Sequence, residues 1–188
     1  MAEEHGQVVE EELDAEREAR RRLALAQIRQ YPDPVLRMRA NEVEEFDDDL
    51  ARLVARMQLL MIDAHGVGLA ATQIGILRRV AIVQDGDEPP VALVNPRIVE
   101  SSDEMETDDE GCLSLQGVLV PVERAVRVVV QAKDPQGRDA RLEFEGHGAR
   151  VAQHELDHLD GVLMIDRTTP EARREALAVL RPPPILRV

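Results

Sequence analysis

Aromatic side chains are almost missing from this chain. Tyr31, Phe46 and Phe144 are the whole set, 2% of 188 residues, and tryptophan is absent. Base-stacking platforms and aromatic cages for cations need several rings, so their scarcity argues against both. Cysteine is nearly absent too. Cys112 stands alone, which rules out an intrachain disulfide and predicts a reducing, cytoplasmic setting. Positive charge is in short supply: 23 Lys and Arg face 37 Asp and Glu, for a net charge of −14. A surface of that sign repels nucleic-acid phosphates, so direct DNA binding is not expected. No apolar run approaches the ~20 residues that a membrane helix requires. The amino terminus, MAEEHGQVVEEELDAE, is acidic where a secretory signal would be apolar.

What is present suits one globular domain with appendages. Hydrophobic residues make up 44% and charged residues 32%. A chain of this length buries roughly 70% of its unfolded surface and needs no covalent staple. Its core must be built from Val, Leu, Ile, Ala and Met. Residues 1–26 are rich in Glu, Arg and Ala and form an extension, either a solvated helix or partly disordered. Residues 27–170 carry the periodic segments, and 171–188 a short helix and a proline-rich tail. Leu50, Leu53, Val54, Met57, Leu60, Met61 and Ala64 recur at helical spacing, predicting a helix over about 48–64. Asp47 or Asp48 can cap its start and Gly66 its end. Branched residues over 79–84, 91–94, 118–122, 126–132 and 140–144 predict strands. Asp134-Pro135-Gln136-Gly137 is a turn signal between the last two. A helix over about 148–160 should end at Gly161. Another should start at Thr169-Pro170 and stop before Pro182-Pro183-Pro184. Strands grouped between helices predict an α+β fold.

The chemistry concentrates in Gln153-His154-Glu155-Leu156-Asp157-His158. On a helix, His154 and His158 share one face and can reach a single ion, with Glu155 beside them. A third ligand is needed. A histidine three residues past Gly161 would serve, but that position is Met164. Glu171 and Glu175 lie among arginines on what reads as a surface helix. Cys112, in Glu110-Gly111-Cys112-Leu113-Ser114, is the remaining candidate, at the end of what reads as an acidic loop. A Cys-His-His set leaves one tetrahedral position open and suits zinc or iron(II) over magnesium. A third stretch, Gly66-Val67-Gly68-Leu69-Ala70-Ala71-Thr72-Gln73, offers small residues against which an extended ligand can lie.

Together, GVGLAATQ at 66–73, EGCLS at 110–114 and QHELDHLDG at 153–161 resemble the peptide deformylase family. The likeness runs from about Ile28 to Arg167. It implies a compact α+β fold, with mixed or antiparallel strands around a central HExxH helix. It implies hydrolysis of the N-formyl group from formylmethionyl peptides and nascent chains, by hydroxide formed on the metal. The metal ligands carry over onto Cys112, His154 and His158, and the general base and acid onto Glu155. Gln73 and the backbone N–H of Leu113 become donors to the formyl oxygen. Val67 and Gly68 pair with the substrate backbone, and Glu110 with Arg124 braces the Cys112 loop. Iron(II) is the implied ion, with zinc or nickel as substitutes, and a transient ribosome contact is a further implied partner. Two positions depart from the family: Gln116 stands where proline is common and Met164 where phenylalanine is. His5, His65 and His147 have no partner in these segments and carry no expected role. The competing readings are an amidase or peptidase acting on another N-acyl group, and a silent homologue that binds nascent chains or metal. The silent reading predicts loss of Glu155 or a ligand, and all are retained.

Overall fold

A computed structural model describes residues 2–180, with side chains from Asp14 onward. The proline run at 182–184 lies outside the described residues. Among the described residues there are four α-helices: α1 (Ala2–Leu25), α2 (Asp48–Asp63), α3 (Gly146–Leu159) and α4 (Pro170–Leu180). Seven strands accompany them: β1 (Gly68–Ala70), β2 (Val80–Val83), β3 (Val91–Ser101), β4 (Met105–Glu110), β5 (Val120–Ala125), β6 (Arg127–Lys133) and β7 (Asp139–Glu145). β1-β2-β3-β6-β7 form a five-stranded sheet, and β4 and β5 form a two-stranded ribbon. Every strand pair is antiparallel.

The sheet lies between two helices, and β2 shows why. All four of its residues are buried. Val80 and Ile82 join the cluster built on α2 through Leu50, Val54, Met57 and Met61. Val83 turns to the opposite cluster, with Val128, Val130, Phe144, Ala149 and Ala152. Alternate side chains thus feed two cores, and an unbroken apolar run is the pattern of a strand covered on both faces. α2 starts where Asp47 accepts a hydrogen bond from the Leu50 N–H at 3.0 Å. Asp134 holds the β6–β7 turn by accepting from the backbone N–H groups of Gln136 and Arg138, with Gly137 at φ +82°.

Two expectations need correction. The acidic run before Cys112 is not a loop but strand β4, paired with β5 from Met105↔Ala125 to Glu110↔Val120. Five of its six side chains are exposed, so it carries charge where a half-buried strand would alternate. The left-handed residue after α2 is His65 (φ +57°), not Gly66. Gly66 serves close packing: a Cβ there would stand 2.8 Å from Leu113 Cδ1. Of the two readings left open for the extension, the helix is the one present, over Ala2–Leu25; its Ala24, with Ile28 just beyond it, is buried in the α2 core. Gly161 ends α3 as expected, at φ +74°, and a Cβ would meet the Arg37 carbonyl oxygen at 2.6 Å.

Candidate active site and metal centre

Helix α3 buries Arg150, His154, Glu155 and His158 on one element. Burying polar groups is costly unless each finds a partner, so their partners define the site. Cys112 approaches from the turn after β4. Its Sγ lies 3.2 Å from His158 Nε2, which is 3.2 Å from His154 Nε2. All three donor atoms fall within 4.8 Å of one another. Tetrahedral nitrogen and sulfur donors about 2.0–2.3 Å from one ion stand roughly 3.3–3.6 Å apart, so this set fits a single small cation. Lone pairs aimed at a common point repel unless a proton or cation lies between them.

The orientation of the rings comes from the next layer of side chains. Glu110 Oε2 lies 3.0 Å from His154 Nδ1, which turns His154 Nε2 toward the cluster. Glu110 also accepts two bonds from Arg124, at 2.8 and 3.0 Å, and one from Arg150 at 3.1 Å. Arg124 reaches on to Asp157 at 2.6 Å, and Arg167 holds the same carboxylate at 2.7 Å. Burial alone would raise the Glu110 carboxyl, but the hydrogen bonds from His154 and Arg124 hold it down at about 2. Burial works against charge on His154, yet its contacts with Cys112 and Glu110 raise it above the ordinary range. Burial and the neighbouring His154 charge hold His158 well below that range.

Glu155 is only 3% exposed, and its Oε2 makes no hydrogen bond. Burial pushes its carboxyl up to about 7, against the opposing charge of His154. A buried carboxylate oxygen without a donor is the mark of a group waiting for one. Gly68 lies directly against this carboxylate, and a Cβ there would overlap it. The side chain of Gln73 is fixed by the Ala70 N–H, which donates to Oε1 at 2.8 Å. That leaves Nε2 directed at Ser114 Oγ (3.2 Å) and Cys112 Sγ (3.6 Å). β1 is an edge strand, and Val67 beside it is 45% exposed.

A cavity of about 640 Å³ opens over this group, a size typical of small-ligand sites. Its walls include Val67, Gly68, Gln73, Cys112, Leu113, His154 and Glu155. Every candidate residue but Arg124 and His158 therefore borders one space, since Glu110 lines it too; those two stand behind it. Gln116 also lines the cavity, whereas Met164 is buried in the core cluster behind its wall, with Leu115 and Val118, and does not line it.

Sequence reasoning missed several participants. Arg150 completes the buried ion network together with Asp157, which the sequence left as either a solvated helix residue or a support behind the ligands, and the only signal for Arg150 was a cation on the face of α3 that carries His154. His65, His147, Arg21 and Leu25 also line the cavity. Glu171 and Glu175, weighed as ligands, lie on α4 and outside the donor cluster.

Three donors converging on one point, a buried carboxylate beside them and an edge strand along the cleft define a metal-dependent amide hydrolase. Residues 25–174 match the polypeptide deformylase family. The chain is 46% identical over 153 residues to the peptide deformylase of Natranaerobius thermophilus, covering 81% of this chain and 98% of that one. Among solved structures it is similar to the Thermus thermophilus peptide deformylase, at 42% identity and TM-score 0.76, over 81% and 90% of the two chains. The Synechococcus elongatus peptide deformylase in complex with actinonin matches at 40% identity and TM-score 0.77, over 81% and 84%. The chain belongs to the peptide deformylase family, metal-dependent hydrolases that remove the N-terminal formyl group from nascent polypeptides. No described helix is long and apolar enough to cross a membrane.

Proposed function

We propose that Cys112, His154 and His158 hold one divalent ion, and that Glu155 moves the proton in deformylation of formylmethionyl peptides. The observation that carries this reading is the convergence of the three donors within 4.8 Å of one another beside an unpartnered buried carboxylate. When bound, the ion supplies Lewis acidity, acidifying water and polarising the formyl carbonyl. Glu155 accepts the proton of the attacking water and returns it to the departing amine. The Gln73 Nε2–H and the Leu113 N–H donate to the formyl oxygen as it gains charge, each worth about 3 kcal/mol in comparable oxyanion holes. Val67 and Gly68, at the β1 edge, pair with the peptide backbone as an added strand. Glu110 and Arg124 fix His154 and the Cys112 turn.

Iron(II) is the proposed ion, since a thiolate and two imidazoles suit it; zinc and nickel suit the same donors. Residues 27–170 form the catalytic domain, 1–26 an extension and 171–188 a carboxyl-terminal appendage. The reaction takes place in the cytoplasm on emerging chains. Contact with the ribosome is transient, because a net charge of −14 opposes binding to RNA.

The test compares formyl-Met-Ala-Ser with acetyl-Met-Ala-Ser on metal-loaded protein. Formyl is the smallest acyl group, so an acetyl group must place one more methyl beside the donor cluster and Glu155. The formyl peptide should turn over at least ~100-fold faster, since an acyl group that does not fit loses the near-attack geometry; equal rates refute the assignment. Cys112→Ala should lose tight metal binding, because two histidines alone leave the site incomplete. Elemental analysis showing one ion per chain in that variant refutes the ligand set.

A further inference from the structure

The family match begins at residue 25, so nearly all of α1 lies outside it. The end of this helix nevertheless reaches the active-site cavity. Ala24 and Ile28 anchor it in the α2 core, and Gln27 accepts a bond from Arg56 at 3.2 Å. Arg21 and Leu25, one turn apart on the same face of α1, then line the cavity that holds Glu155 and Cys112. The two lining arginines differ in what they hold. Arg150 is buried and bonds Glu110, the Val122 carbonyl and the Glu106 carbonyl. Among the described residues, Arg21 finds no acceptor for its Nε, which is buried. It pairs only loosely with Glu18, at 3.7 Å, and its side chain is 42% exposed. A guanidinium offers five donors in a planar fork, matched to a carboxylate.

We infer that Arg21 is a specificity residue: it binds a carboxylate on the peptide downstream of the formylmethionine. This inference rests on the deformylase reading of the same cavity. The carboxylate has two chemical sources, an acidic side chain at the position after methionine or the free carboxyl terminus of a short peptide. Asp109 lines the cavity from β4 and offers the opposite preference, for a basic side chain. The two residues therefore make opposing forecasts for one assay.

Steady-state kinetics on the metal-loaded full chain decide between them, using formyl-Met-Glu-Ala-amide and formyl-Met-Lys-Ala-amide. Formyl-Met-Ala-Ala as acid and as amide separates the second source. The unaltered chain should prefer Glu over Lys roughly threefold to tenfold in kcat/KM, carried in KM because the contact is made before and during reaction alike. Arg21→Gln should bring the ratio to about one, Arg21→Glu should invert it, and Arg21→Lys should restore part of it. Arg20→Gln removes the same charge one position away, outside the cavity lining, and should keep the full ratio. If only the acid–amide ratio responds to Arg21, the carboxyl terminus is the source. Glu–Lys and acid–amide ratios that both stay unchanged in Arg21→Gln, or a response to Arg21→Gln that Arg20→Gln reproduces in full, overturns the inference. Turnover of all four peptides in those cases leaves the deformylase reading intact, whereas no turnover of any peptide rejects both.

Discussion

Glu155→Gln should lower kcat for formyl-Met-Ala-Ser by roughly 10²–10⁴-fold while bound metal stays at one ion per chain. Glutamine has nearly the same shape, so it keeps the contact with Gly68 and leaves Cys112, His154 and His158 in place. It removes the one property the reaction needs at this point, a site that takes up a proton and gives it back. Activity within tenfold of the unaltered chain would show that another group carries the proton. The pH profile adds a second reading. Burial places this carboxyl at about 7 without an ion. A cation in the neighbouring cluster favours the charged form and lowers that value. Since the base must be deprotonated, kcat/KM should rise with pH through a value below about 7. In Glu155→Gln that limb should vanish.

Glu110→Ala should destabilise the fold by about 3–5 kcal/mol, because it leaves Arg124 and Arg150 as buried charges without their common carboxylate. For a chain of this size that corresponds to a fall in Tm of roughly 6–20 °C. His154 loses the acceptor at Nδ1 as well, so metal affinity should fall about 10–100-fold. Arg138→Ala, which breaks an exposed pair with Asp134, should cost no more than about 1 kcal/mol. Calorimetry of both variants checks the contrast, and equal losses would contradict a brace at Glu110. The linkage to pH has a definite sign. Glu110 has a folded value of about 2, below its ordinary 4.5. Its stabilisation is therefore complete above about 4.5 and is lost as pH falls toward 2. Glu110→Ala should lack that part of the acid limb.

Much of this architecture was legible in the chain. The α2 stripe, the β6–β7 turn and the Thr169-Pro170 start of α4 all follow local rules, and the structure places them within a few residues of expectation. Strand β4 escaped because its pattern is set by pairing with β5 and not by burial. Its six residues METDDE hold no alternation to detect. The left-handed residue after α2 is His65, one position before the glycine, and Gly66 instead packs against the Leu113 side chain, a contact no local pattern displays.

The sequence by itself determined the local chemistry: two imidazoles one helical turn apart, a carboxylate beside the first, and a thiol in a glycine-flanked turn. Helical spacing is a property of neighbouring residues, so it can be read without a fold. Only the tertiary structure decided that Cys112 meets those imidazoles, that Arg150 and Asp157 join Glu110 and Arg124 in one buried network, and that the end of α1 borders the cavity. Such meetings are set by the joint burial of distant apolar segments against one sheet. That is a property of the whole packed core, and no short stretch of the chain carries it.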